Sequence, residues 1–213
     1  MKYKSCHVTR KKEGGYTAHL WTDDGYKTLD WEYPAYRENP NGSYIGLKGE
    51  KLSKTTKWDR NDPTLHFHDM RPYQRFLIDL YGNDDEPSTT HREVFFDIEI
   101  EMGGALTEEY IKKAPKPVTS IAWWDKQIDE WSIIVGYNSD YFDIPYLFYR
   151  MQNVLTKKDA YRLSPIGVVQ DTSQWNRDGW LNIAGVQSLD YMKLHQKFSF
   201  RDEPSYKLDV IGE

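Results

Sequence analysis

Three carboxylates on one face of a short strand restrict what this chain can fold into. The stretch Val94-Phe95-Phe96-Asp97-Ile98-Glu99-Ile100-Glu101 alternates apolar and polar positions, and side chains alternate faces along a strand. Val94, Phe96, Ile98 and Ile100 therefore share a core face, and Phe95, Asp97, Glu99 and Glu101 share the other. Acids are depleted from strands, and like charges this close repel. Two arrangements relieve the conflict. One is a half-exposed edge strand with a solvated acidic face. The other is a divalent cation on that face, since carboxylate oxygens suit Mg²⁺ or Mn²⁺.

A second stretch, Val135-Gly136-Tyr137-Asn138-Ser139-Asp140-Tyr141-Phe142-Asp143-Ile144-Pro145-Tyr146-Leu147, leads into a helix. Pro145 is tolerated at an early helical position, and Tyr146, Leu147, Tyr149, Arg150, Met151 and Leu155 continue the pattern. Asp143 reads in two ways. A carboxylate just before a helix can cap its free N–H groups and favour its dipole. In the company of Asp97 and Glu99 it can also be a third metal ligand.

Taken together, Phe96-Asp97-Ile98-Glu99 and the segment Gly136 to Tyr146 resemble the first two exonuclease motifs of family B DNA polymerases. Arg162-Leu163-Ser164-Pro165-Ile166-Gly167, Ser188-Leu189-Asp190-Tyr191 and Lys197-Phe198-Ser199-Phe200 extend the likeness, which is to the replicative polymerases of T-even-type bacteriophages. The resemblance covers roughly Glu93 to the end, with no counterpart of the polymerase domain. It implies an α+β chain: a β-rich N-terminal domain followed by a partial ribonuclease-H-like 3′–5′ exonuclease domain. The chemistry implied is two-metal phosphodiester hydrolysis with Mg²⁺ or Mn²⁺. Asp97 would bridge the ions, Glu99 would bind one and help place the water, and Asp143 would hold the second. Asn138 and Phe142 would line a single-strand channel. Single-stranded DNA or a primer terminus is the implied substrate, and the cytoplasm of an infected host cell the implied setting.

Composition adds exclusions. A chain of 213 residues can bury one or two real cores. Cys6 is the single cysteine, so no intramolecular disulfide forms, and a reduced, intracellular setting is expected. No run of 18 apolar residues exists, so no membrane span is expected. A formal net charge of −5 argues against strong general affinity for duplex nucleic acid. Aromatics make up 15% of the chain, enough to supply stacking surfaces as well as cores.

Along the chain, Lys4 to Arg10, Tyr16 to Thr22 and Tyr26 to Tyr33 read as strands joined by Gly-containing turns. Short strands follow at Tyr44 to Leu47 and at Leu65 to His68. The polar stretch between them, with Lys48, Lys51, Lys54, Lys57 and Arg60, reads as a solvated loop or a local nucleic-acid contact, with Arg37 upstream. Cys6-His7 and His66-Phe67-His68 have no zinc-site spacing. Met70 to Tyr81 reads as a helix burying Phe76, Leu77 and Leu80. These features place a β-rich domain at 1–83, a linker at 84–90 and the exonuclease-like domain at 91–213.

Within the second domain, Leu106 to Lys113 reads as a polar excursion and Val118 to Trp124 as a second strand. Trp131 to Val135 reads as a third strand lying antiparallel beyond the second. There the sequence departs from the family. The resembling polymerases insert a helix and a fourth strand before the Gly-Tyr-Asn motif, whereas here Val135 runs straight into Gly136. Either a helix and a strand are lost or the sequence lacks a segment. Further on, Val168 to Gln170 and Leu181 to Ile183 form a hairpin, whose Trp175 and Trp180 are candidates for nucleic-acid contact or for hairpin packing. Asp190 to Phe198 reads as a helix with Asp190 as N-cap and Tyr191, Leu194 and Phe198 in the core. The family's third motif, Tyr-x-x-x-Asp with the fourth acid, is not found after Asp143. The isolated chain is therefore expected to be a weak exonuclease or none, completed by a second chain carrying that motif and the polymerase domain. A non-catalytic nucleic-acid-binding or replication-partner module, and a purely structural interaction protein, are the competing readings.

Overall fold

The computed structural model describes residues 1–55, 62–66, 70–88, 93–101, 103–124, 133–173, 181–199 and 203–212. The chain is α+β with a strand-rich first half, and it divides into two compact units, Met1–Thr89 and Thr90–Glu213. No helix among the described residues is long and apolar enough to cross a membrane.

In the first unit, β1 (Tyr3–Arg10), β2 (Tyr16–Thr22) and β3 (Gly25–Trp31) form an antiparallel meander. Its turns need positive φ, which Gly14, Gly15 and Gly25 supply at +99°, +74° and +103°. Thr22 Oγ1 donates to Gly25 O at 2.8 Å and accepts from Asp24 N–H, closing the second turn. Ala18 and Leu20 point to one face, where Phe76 and Tyr81 of α1 (Pro72–Tyr81) cover them. Burying side chains of the size of Leu20 and Phe76 contributes about 1.5–3 kcal/mol each. Leu80, expected in this core, is 42% exposed. The helix rolls so that Tyr81 takes that place, its ring 5.4 Å from that of Tyr3 and tilted by 42°.

The remaining strands of this unit, β4 (Ala35–Glu38), β5 (Tyr44–Ile45), β6 (Lys51–Thr55) and β7 (Leu65–His66), make a second sheet in the order β5-β6-β4-β7. β6 lies inside the lysine-rich stretch read as a loop. Its signal is a single apolar residue, Leu52, which is fully buried between exposed Lys51 and half-buried Ser53. Lys57, Arg60, Phe67 and His68 lie outside the described residues, and Arg37 is paired with Asp62 at 2.8 Å.

The second unit is built on β8 (Glu93–Ile100), which lies inside a four-stranded sheet of order β13-β10-β8-β9. β9 (Val118–Trp124) pairs antiparallel along its whole length. β10 (Ile133–Gly136) pairs parallel with β8, Ile133 opposite Glu93 and Val135 opposite Phe95. β13 (Gln187–Asp190), a strand that was not anticipated, pairs parallel on the outside of β10. The expectation that 131–135 lies antiparallel beyond β9 is therefore corrected. One segment had to fill one of two places, and beside β8 it buries Val135 between two neighbours. β9 ends level with Phe95 and β10 starts level with Glu93.

One face of β8 carries the core. Ile98 packs with Ile111 and Ala114, from α2 (Glu108–Lys113) and its C-terminus, and with Tyr146 of α3 (Asp143–Val154). The polar excursion at 106–113 thus contains a helix. Thr107 caps it by accepting from Tyr110 N–H, and Ile111 is its one anchoring apolar residue. Its orphan carbonyls are met from α3: Asn153 Nδ2 donates to Lys113 O at 2.8 Å and Arg150 to Ala114 O at 3.3 Å. Tyr146 Oη accepts from Lys116 N–H and donates to Lys116 O, pinning the connector that leads to β9.

A second cluster joins Ile144 and Phe148 to Ala160 of α4 (Lys157–Tyr161). It also takes in Val169 of β11 (Val169–Asp171) and Ile183 of β12 (Leu181–Ile183), which form the expected antiparallel hairpin. In α5 (Tyr191–Phe198) the expected core assignment fails: no residue is buried, and Tyr191 and Phe198 are 52% and 66% exposed. Correct periodicity identified the helix, but no described element covers its apolar stripe.

Candidate active site

β8 displays the anticipated alternation: Val94 and Ile98 are buried, while Phe95, Asp97 and Glu99 are exposed. Asp97 and Glu99 thus share the solvent-facing side, two residues apart. Asp143 approaches from α3. It is the first residue of that helix, but its side chain does not cap it; Oδ1 accepts from the Ile98 N–H at 3.0 Å. Parallel pairing with β10 ends at Phe95. The next amide on that edge, Ile98 N–H, would otherwise be buried without an acceptor. The Asp143 carboxylate takes the position a fifth residue of β10 would have filled.

That placement has an electrostatic consequence. Burial pushes the Asp143 carboxyl up to about 7, the negative charges of Asp97 and Asp190 add to the rise, and the Ile98 N–H bond opposes it. The structure therefore sets Asp143 against the Ile98 amide, next to Asp97 in the strand, with Glu99 farther along the exposed face. No three His, Cys, Asp or Glu side chains among the described residues are grouped closely enough to hold a metal ion. The donor chemistry suits a hard divalent cation, since all three groups are carboxylates and Asp143 is short of a compensating positive charge. Their number suits weak binding only.

The loop between β10 and α3 is shaped by Gly136 and Asn138. A methyl added at Gly136 would lie 2.6 Å from Ser139 Cβ and 3.0 Å from Phe96 O. Asn138 sits at φ +57°, a left-handed conformation that asparagine tolerates better than most residues. Phe142 is partly buried, its ring 5.5 Å from Tyr146 against the Ile98 core. Gly136→Ala is expected to destabilise the chain by roughly 1–3 kcal/mol through overpacking. Equal urea midpoints for variant and wild type would count against this account of the loop.

Sequence reasoning saw Asp190 as a helix cap and missed the rest of its work. Asp190 Oδ1 does accept from Met192 N–H at 3.0 Å, capping α5, but it also accepts from Asn138 N–H at 2.8 Å, and Oδ2 accepts from Asp140 N–H at 3.3 Å. One buried carboxylate at the end of β13 thus fixes the loop that delivers Asp143. Lys193 adds an ion pair to Asp140 at 2.6 Å. The signal was present in Ser-Leu-Asp-Tyr, but a cap and a cross-loop anchor look alike in one dimension. Ser164 of the Ser-Pro-Ile-Gly segment is similarly structural, its hydroxyl donating to Ala184 O at 2.7 Å. Trp175 and Trp180 lie outside the described residues.

Residues 78–211 match the family model for the DNA polymerase family B exonuclease domain. The chain belongs to that family. Over 86 residues it is 37% identical to a DNA-directed DNA polymerase of Escherichia phage RB69, a segment covering 38% of this chain and 9% of that relative. Over 85 residues it is 35% identical to a DNA-directed DNA polymerase of Enterobacteria phage T4, covering 38% of this chain and 10% of the relative. The aligned segment thus spans about a tenth of each relative's length. Within the family B exonuclease domain, the acid-bearing strand β8 and the Gly136–Tyr146 loop are the elements that meet at the candidate site.

Proposed function

We propose that the chain is the N-terminal and proofreading portion of a phage replicative family B DNA polymerase. In this reading a β-rich domain occupies 1–83, a linker 84–90 and a partial ribonuclease-H-like 3′–5′ exonuclease domain 91–213. The observation that carries it is the hydrogen bond that holds Asp143 against Ile98 of the interior strand bearing Asp97 and Glu99, in a chain whose sequence matches that family. Asp97, Glu99 and Asp143 would hold Mg²⁺ or Mn²⁺, which supplies positive charge for water activation and for the leaving 3′ oxygen. Asp97 faces solvent, where it would meet a phosphodiester. Glu99, on the same side, would orient the attacking water. Asn138, Phe142, Trp175 and Trp180 would contact single-stranded DNA or a primer terminus. A second chain would bring the Tyr-x-x-x-Asp motif and the polymerase domain, in the cytoplasm of the infected host.

The small donor count sets the expectation for activity. Positioning errors of about 1 Å can cost on the order of 100-fold in rate, so the chain alone should degrade a 5′-labelled single-stranded oligonucleotide poorly. Mn²⁺ should bind weakly, and Asp97→Ala should remove the binding heat in calorimetry. Unchanged Mn²⁺ affinity in that variant would reject the metal site and favour a non-catalytic binding module. Turnover within about tenfold of a complete phage polymerase would show that another acid completes the set.

A further inference from the structure

The strand that pairs with β8 changes register beside the acids. β9 runs opposite β8 in regular steps from Phe95 with Trp124 to Glu99 with Ser120, and then Ile100 lies opposite Val118. Thr119 is thus an extra residue with none opposite it, a β-bulge. The core explains why it forms. Ile121 shares a face with its partner Ile98, so strict alternation would send Thr119 to that face and Val118 away. With the extra residue, Val118 turns inward and packs with Ile100 against the Ile98 cluster.

The direction of the backbone groups puts Glu99 at the bulge. The Ile98 N–H points away from β9, to Asp143. By alternation, the N–H and C=O of Glu99 point toward β9. There the Thr119 hydroxyl donates to Glu99 O at 3.1 Å. Beyond the bulge, Glu101 N–H donates to Pro117 O at 3.3 Å and the pairing resumes. The unpaired residue itself therefore holds the main chain of Glu99, while Asp97 stands in the regular ladder opposite Ala122. A bulge bends its strand, sharpens the local twist and can re-aim a side chain next to an active site.

We propose that Thr119 is a positioning residue, which through this bulge sets the angle of the Glu99 carboxylate to that of Asp97, so that both reach one cation. This rests on the proposed reading in which the two acids bind Mg²⁺ or Mn²⁺. Residues two apart on a regular strand have Cα atoms about 6.5–7 Å apart. Oxygens on one Mg²⁺ lie within about 4 Å of each other. The two side chains must lean together, and the bend at Glu99 governs how far they do.

Deleting Thr119 tests this, because it leaves Glu99 opposite Ser120 and Ile100 opposite Val118 in a regular ladder. The electron paramagnetic resonance signal of free Mn²⁺, titrated into the full chain, reads binding without turnover. The deletion should keep the wild-type far-ultraviolet circular dichroism and lower Mn²⁺ affinity about tenfold, the low end of the loss when a ligand's outer-shell partner is removed. Thr119→Val keeps the chain length without the hydroxyl and should weaken binding in the same direction, whereas Thr119→Ser should bind as wild type does. Glu99→Gln separates the two levels of the argument. If it binds Mn²⁺ like wild type, the metal reading of Glu99 fails and the positioning role falls with it. If it weakens binding while the deletion keeps wild-type affinity, the metal reading stands and the positioning role is overturned. Equal affinities for Thr119→Val and Thr119→Ser would also overturn it, and that pair decides alone if the deletion does not fold.

Discussion

Raising the pH from about 4 to about 7 should cost this chain roughly 3–4 kcal/mol of stability through Asp143 alone. An aspartate in the unfolded chain titrates near 3.9, and the buried Asp143 carboxyl is pushed up to about 7. Between those values the folded state holds a proton that the unfolded state has released. The contribution is fully present below the lower value and is lost as pH rises through the upper one. Other carboxylates, such as Asp171 and Glu50, are shifted downward by hydrogen bonds to their charged forms, so the whole-chain curve mixes opposite slopes. Asp143→Asn isolates the effect, since an amide oxygen can still accept from Ile98 N–H. The variant should match wild type near pH 4 and exceed it by roughly 3–4 kcal/mol at pH 8. Urea denaturation across that range reads the difference directly; parallel curves for the two proteins would sink the prediction. If the proposed cation binds, saturating Mn²⁺ should raise the stability of wild type at pH 8 more than that of the variant.

Asp190→Ala should be at least as damaging. Its carboxylate is 4% exposed and receives three backbone N–H groups. A buried donor stripped of its acceptor costs about 1–3 kcal/mol, and water can satisfy part of the loss, giving roughly 3–5 kcal/mol. Asp190→Asn keeps an acceptor for Asn138 and Met192 and loses mainly the Asp140 bond, so about 1 kcal/mol is expected. Metal binding should weaken in the alanine variant, because the loop that delivers Asp143 loses its anchor. An alanine variant with wild-type urea midpoint and wild-type Mn²⁺ heat would show that Asp190 does not hold the loop.

What could be read in the sequence follows from how local each signal is. Strand β8 was legible because its period-2 pattern runs over eight residues with one exception, Phe95. The hairpins of the first unit were legible because glycines mark their turns. β6 and α2 were not, because each is anchored by one apolar residue, Leu52 or Ile111, set among lysines and glutamates. The placement of β10 could not be read at all. Ile-Ile-Val carries no information about which edge it will join; that is decided by the connection lengths and by the open side of β8. Phe198 and Tyr191 show the converse error, in which the period was right and the covering partner was assumed. Asp97, Glu99 and Asp143 are candidates through their motif company. The bond from Asp143 to Ile98 N–H depends on β10 stopping early, which only the three-dimensional register reveals.

That early stop makes a side chain finish the sheet. Asp143 Oδ1 is committed to a main-chain amide, so the carboxylate can offer a cation one oxygen without disturbing β8. A two-oxygen grip would make Oδ1 serve both the cation and the Ile98 N–H, and losing that hydrogen bond would cost about 1–3 kcal/mol, or roughly 5- to 150-fold in affinity. Ligand and backbone would thus share one carboxylate. Occupancy should be legible in the amide exchange of Ile98, a reporter that sits in the middle of the core strand and answers to the loop beside it.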